Sequence, residues 1–298
     1  MAQTLKISKF LTAASLFVYA ITLNIAYAGV VTVNTSVSDN TIGGVIRKDA
    51  SEVSGQQHVA VSNSWKGSSA QATATADYGY VKAAAKGTLS SSSLTGGVTA
   101  AASAGFSDNI KLSRDDLNGK IGTVTIGYYI DYSSEFGAGG YPSGFMGFMA
   151  KIDTAYSWFY VSQNAGQDDV YVFDHSDLTG RGRINTSPMS YLYVTAQFIW
   201  GRDFSTGLTT DLSGGAYVPS GSGENTFFSL DASHSGYWAG IVSATVDGLA
   251  VTDYALTSQS GTDYSKSMVP TKDVPEPMTL ALFGIGLAGI GIRFKTRS

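Results

Sequence analysis

The 298-residue sequence predicts an all-β body, an antiparallel β-sandwich of jelly-roll type, on three observations. Apolar and polar residues alternate with period two over long stretches. Gly, Ser, Asp and Asn cluster between those stretches as turns. No stretch of the body carries the three-and-four spacing of an amphipathic helix.

In chain order, weaker strand patterns cover residues 31–37, 59–65, 72–81 and 100–112. The first clear one places Val124, Ile126, Tyr128, Ile130 and Tyr132 on one face and Thr125, Gly127, Tyr129 and Asp131 on the other. Weaker strands follow at residues 149–162 and 170–173. Leu192, Val194, Ala196, Phe198 and Trp200 then alternate with Tyr191, Tyr193, Thr195 and Gln197. After a weaker strand at 226–230, Trp238, Gly240, Val242, Ala244 and Val246 alternate with Tyr237, Ile241 and Thr245. Residues 112–117 suit one helical turn. Turns are expected at 137–140, 166–169, 180–182, Gly214-Gly215 and 220–223. Residues 66–105 are nearly all Ala, Ser, Thr, Gly and Lys, so each side chain buries little apolar area. Edge strands or mobile hairpins are expected there. One large domain is the expectation, with residues 112–120 as the seam if there are two. No period of 20–50 residues recurs, which argues against a solenoid or propeller.

The two ends differ from the body. Lys6 and Lys9 precede a largely apolar run at 10–25, and Ala26-Tyr27-Ala28 offers a small-x-small cleavage site before Gly29. Residues 1–28 therefore read as a signal peptide cut by signal peptidase, with Ala26 and Ala28 as its cleavage determinants. A retained N-terminal anchor is the alternative. At the other end come Val274, Pro275, Glu276 and Pro277, then an uncharged run at 278–292, then a basic tail at 293–298 with Arg293, Lys295 and Arg297. The two prolines keep Glu276 in an extended segment that a processing enzyme can reach. The run is 15 residues, about 22 Å as a helix, short of the roughly 20 residues of a comfortable span. Gly284, Ala288 and Gly291 leave room for another membrane helix, and the basic tail biases the C-terminus to the cytoplasm. A permanent C-terminal membrane anchor is the alternative.

In order and position these elements resemble the PEP-CTERM sorting signal of Gram-negative bacteria. The resemblance covers residues 274–298 only. It implies recognition by exosortase, an integral-membrane cysteine peptidase or transpeptidase, after export and while the tail holds the protein in the inner membrane. Cleavage near the motif and transfer or release would follow, commonly in organisms that make exopolysaccharide and biofilm. The catalytic cysteine belongs to the sorting enzyme, and this chain has none.

Residues 29–273 then form an ectodomain outside the inner membrane, ending at the cell surface or in the extracellular matrix. It keeps 14 of the 19 basic and 22 of the 23 acidic groups, a net charge of −8. Nucleic acid is a poor partner for such a surface. A chain this long buries a core without disulfides.

Motifs for chemistry are few. His58, His175 and His234 show no ligand spacing, and no cofactor or metal site is expected. Asp174-His175-Ser176-Asp177 reads as a polar turn, because catalytic triads assemble from distant segments. Asp115-Asp116 and Asp168-Asp169 read as solvated turn residues rather than a glycosidase pair or a Ca²⁺ loop. No catalytic residue is assigned. Trp158, Trp200 and Trp238 are expected in the core with most other aromatics, while Tyr141, Tyr217 and Tyr254, beside turns, are candidates for exposure. Exposed aromatics stack on sugar rings. The expectation is a non-enzymatic surface or matrix protein associated with exopolysaccharide. The alternative is a secreted carbohydrate-active enzyme or carbohydrate-binding module with the same tail.

Overall fold

Two antiparallel sheets lie face to face, and the alternation in the sequence decides which side of each strand enters the space between them. The computed structural model describes residues 30–39, 44–52, 56–65, 68–90, 96–137, 139–163, 171–174, 189–218, 225–232 and 236–270. Ala26, Ala28, the motif Val274 to Pro277, the apolar run at 278–292, and Arg293, Lys295 and Arg297 lie outside them. Among the described residues no helix is long and apolar enough to cross a membrane.

The strands are β1 (Val30–Asp39), β2 (Gly44–Glu52), β3 (Gln57–Trp65), β4 (Ser68–Asp77), β5 (Tyr80–Leu89), β6 (Gly96–Ser113), β7 (Ile121–Asp131), β8 (Ser133–Phe136) and β9 (Tyr141–Ile152). There follow β10 (Ala155–Gln163), β11 (Tyr171–Asp174), β12 (Met189–Ile199), β13 (Asp203–Val218), β14 (Thr226–Ala232), β15 (Tyr237–Val246), β16 (Leu249–Ala250) and β17 (Ala255–Ser258). The first sheet runs β11-β10-β9-β13-β6-β1-β2, with β17 also on β6. The second runs β12-β7-β15-β5-β14-β8, with β3 and β4 continuing from β5 and β16 on β15. Both sheets are open, so neither closes into a barrel. Facing strands match in order: β3 on β1 and β2, β4 on β1 and β6, β5 on β6 and β13, β14 on β13 and β9, β12 on β9 and β10. The all-β expectation holds. The meanders β3-β4-β5 and β9-β10-β11, and sheets of eight and nine strands among the described residues, depart from the eight-stranded winding of a jelly roll.

The strongest sequence patterns place their apolar faces inward. Val124, Ile126, Tyr128, Ile130 and Tyr132 are buried, as are Leu192, Val194, Phe198 and Trp200. In β15 the pattern breaks. Trp238, Ala244 and Val246 are buried, but Val242 is 59% exposed and Tyr237 is buried. A pair of register shifts against β7, one between Trp238 and Gly240 and one between Ile241 and Ser243, accounts for Val242, whereas Tyr237 lies ahead of both and is buried on the outer side between its cross-strand neighbours Tyr129 and Tyr80. Each inserted residue reverses the inward phase, so the second restores what the first inverted.

The small-residue segment 66–105 is not peripheral. β5 and β6 each pair on both edges, and Ala70, Ala72, Ala74, Ala76, Ala83, Ala85, Ala100, Ala102 and Ala104 are buried. Alanine faces of β4 and β5 meet the alanine face of β6, where short side chains on both sides leave no gap to fill. The expected single strands at 72–81 and 149–162 are hairpins instead. Two-residue turns, Tyr78-Gly79 and Asp153-Thr154, separate their arms. Both turns use positive φ, +90° at Gly79 and 48° at Asp153. Gly214 and Gly215 form no turn but lie inside β13. Residues 114–120 do form a turn, with the Leu117 and Asn118 amides on the Arg114 carbonyl at 2.9 and 3.1 Å, and it joins the two stacked sheets rather than two domains.

After β16 the chain crosses the end of the sandwich and is fixed there. Asp108, fully buried on β6, accepts from the Ser260 amide at 3.2 Å and from the Ser260 hydroxyl. The Trp238 indole Nε1 donates to the Tyr264 carbonyl at 3.1 Å, and the two rings meet edge to face at 4.7 Å. The Met268 amide closes the segment on the Trp238 carbonyl at 2.8 Å. The described residues from Val30 to Met268 belong to one compact unit.

Candidate functional site

The outer face of the first sheet carries an aromatic stripe, and the strand alternation puts it there. In β9, Met146, Phe148, Ala150 and Ile152 point inward, so Tyr141, Phe145, Gly147, Met149 and Lys151 point out. The Asp153 turn reverses the phase in β10, where Ser157, Phe159 and Val161 are buried while Tyr156, exposed, and Trp158 and Tyr160, half-buried, lie on the outer side beside the β9 residues. From Tyr141 to Met149 the stripe runs about 26 Å at ~3.3 Å per residue.

At one end the Tyr141 and Tyr217 rings stack at 6.3 Å, and both are exposed. Further along, the Trp158 and Tyr160 rings lie nearly parallel, 5.0 Å apart and 12° inclined, with Phe145 5.6 Å from Tyr160. The Phe145 ring leans over Gly147, where a Cβ would lie 2.8 Å from its Cζ. That glycine makes room for the Phe145 ring in the row Tyr160, Gly147, Asp211, Ser103 across four strands.

Asp211 supplies the carboxylate of this face. The Ser103 hydroxyl donates to its Oδ1 at 2.5 Å. Burial pushes its carboxyl above the usual carboxylate range, and the Ser103 hydrogen bond opposes that shift. Burial likewise raises the Tyr160 phenol and lowers the Lys151 ammonium, the latter opposed by Asp153. Aromatic faces around a carboxylate acceptor can stack on the C–H faces of sugar rings and accept from their hydroxyls.

The exposure expected for Tyr141 and Tyr217 is present. Tyr254 is instead half-buried, packed edge to face on Trp200 at 5.8 Å. Trp200 and Trp238 are core residues, whereas Trp158 stands on the outer face. Its place in the notional strand 149–162 hid the phase reversal at Asp153. Tyr160 escapes sequence reasoning for the same reason, Phe145 because both phases of β9 carry large apolar residues, and Asp211 because no strand is expected at 203–218.

The other candidates do not join this face. Asp116 takes a bidentate ion pair from Arg114, at 2.8 and 3.0 Å, and Arg114 also reaches Asp253 at 2.8 Å. Those Arg114 bonds hold the Asp116 carboxyl below its ordinary range. His58 is exposed and shares a 2.7 Å hydrogen bond with Thr75. His175, His234, Ser176, Asp177, Asp168 and Asp169 lie outside the described residues. Among the described residues no group of three or more His, Cys, Asp or Glu is placed to hold a metal ion.

Residues 273–297 match the family model of the PEP-CTERM protein-sorting motif. The chain thus carries the sorting signal of an exported protein processed by exosortase and sorted to the cell surface. No curated protein and no solved structure matches the chain.

Proposed function

We propose that the mature body, freed of its signal peptide and sorting tail, is a non-enzymatic surface or matrix protein that holds exopolysaccharide. Before processing, the run at 278–292 anchors it transiently in the inner membrane. One observation carries the ligand assignment: a solvent-facing stripe of aromatic rings, from Tyr141 through Phe145 and Tyr160 to Trp158, beside the Asp211 carboxylate. A stripe this long suits a polymer better than a single sugar. The net charge of −8 on residues 29–273 favours an uncharged polysaccharide over an acidic one. Asp211 is hydrogen-bonded by Ser103, a partner that suits an acceptor for ligand hydroxyls rather than one half of a hydrolytic carboxylate pair.

Affinity electrophoresis of the exported protein through gels containing hydroxyethyl cellulose, or the host's own exopolysaccharide, tests this reading. Retardation is expected, and Trp158→Ala with Tyr160→Ala should relieve it by about tenfold in apparent affinity, about 1.4 kcal/mol. Unretarded migration of the parent in both gels would refute the assignment. Release of reducing sugar by the purified protein would return the enzyme.

A further inference from the structure

The second sheet carries its own aromatic surface, on the side of the sandwich opposite the stripe. Tyr191 on β12, Tyr129 on β7, Tyr237 on β15 and Tyr80 on β5 are cross-strand neighbours, so one row of tyrosines crosses four strands. Tyr129 and Tyr191 meet at 5.3 Å, and Tyr80 and Tyr237 at 6.1 Å. The Tyr193 ring lies 12° from parallel with Tyr191 at 6.1 Å. Tyr191 is 48% exposed, Tyr193 45% and Val242 59%. Between them is Gly127, where a Cβ would lie 3.2 Å from Val242 and 3.3 Å from Tyr193. The exposure of Val242 is produced by the two bulges of β15, which turn this valine outward from an otherwise alternating strand. The pattern repeats the first face: parallel rings, an apolar neighbour and a glycine among them.

We propose that this face binds a second strand of the same uncharged polysaccharide, so that one molecule joins two polymer chains. This rests on the reading of the first face as a polysaccharide site. Because the two sites lie on opposite outer faces of stacked sheets, one stiff chain does not lie along both. Two sites then act as a cross-link between chains rather than as one stronger site.

The test is light scattering of hydroxyethyl cellulose titrated with the exported, processed protein. A cross-linker gives scattering that rises to a maximum near matched site ratios and falls when protein is in excess. The first face, with the longer stripe and the Asp211 carboxylate, dominates retardation in the affinity gel, so Tyr191→Ser with Tyr193→Ser, both at exposed positions, should keep that retardation within about twofold yet abolish the maximum. Val242→Asp, at a position already in solvent, should do the same without touching a ring. Trp158→Ala with Tyr160→Ala should abolish the maximum through the other face, and mixing the two single-face variants should not restore it. A maximum that survives Tyr191→Ser with Tyr193→Ser and also Val242→Asp overturns the second site while leaving the first. Absence of any retardation of the parent overturns both.

Discussion

Gly214→Ala should be among the most destabilising single-methyl additions to this protein, for a reason visible in how Phe228 is held. Phe228 is 1% exposed on β14, and its ring lies over its cross-strand neighbour Gly87 while reaching Gly214 in the facing sheet. A Cβ at Gly214 would lie 2.2 Å from Phe228 Cδ2 and 2.3 Å from Cε2, and one at Gly87 2.4 Å from Cε1. Recovering a carbon–carbon separation of ~3.5 Å requires the ring to shift by more than about 1 Å. Glycine backbone at the opposite ring edge blocks the retreat. Overpacking of this kind costs about 1–3 kcal/mol, and blockage on both edges puts Gly214→Ala near 3. For a body of this size that lowers Tm by about 6–12 °C. Circular-dichroism melting of the mature protein measures it. Adding Phe228→Leu should recover part of the loss, because the shorter side chain frees the space the methyl needs. A Tm within about 1 °C of the parent for Gly214→Ala, or strictly additive losses in the double variant, would refute the packing argument.

Trp238→Ala should cost about 3–5 kcal/mol, since its indole is fully buried against Tyr128 and Tyr264, whereas Trp158→Ala on the outer face should move Tm little. Asp211→Asn should raise Tm at neutral pH. The raised carboxyl means that the folded state binds its proton more tightly than the unfolded chain, so acidification from neutral strengthens the parent and the gap to the variant should close as pH falls through the raised value. An unchanged gap across that range would remove burial as the cause. Replacing Pro275, Glu276 and Pro277 by alanine should leave export intact but stop processing, because alanine, unlike proline, neither fixes φ nor opposes helix formation at the motif. The measurement is mass spectrometry of the product in the native host, where a full-length, membrane-retained form is expected, and equal processing of variant and parent would make the tail an ordinary anchor.

The sorting signal was legible in the sequence because a peptidase reads it as a linear string, so order and spacing are the whole of it. The inward faces of β7 and β12 were legible as well, since uninterrupted alternation admits one burial pattern once one face is known to be apolar. Hairpin turns of two residues were missed although their trace is present: inward positions are even through Ala76 and odd from Val81, and the same reversal separates Ile152 from Ser157. The alanine segment shows the limit of such reading. Sequence weighs each alanine by its own small area, but whether it is buried depends on what stands opposite, and here another alanine face does. The same holds for glycine, where Gly214 inside β13 makes room for a ring from the facing sheet while an isolated string shows only a turn residue.

By itself, then, the sequence determined that the body is β-structured and that the chain ends in a sorting motif, because periodicity and linear motifs are local. The tertiary structure alone decided which aromatics face solvent. That choice depends on the bulges of β15, the phase reversal at Asp153 and the pairing of sheets, each of which couples a residue to partners far away in the chain.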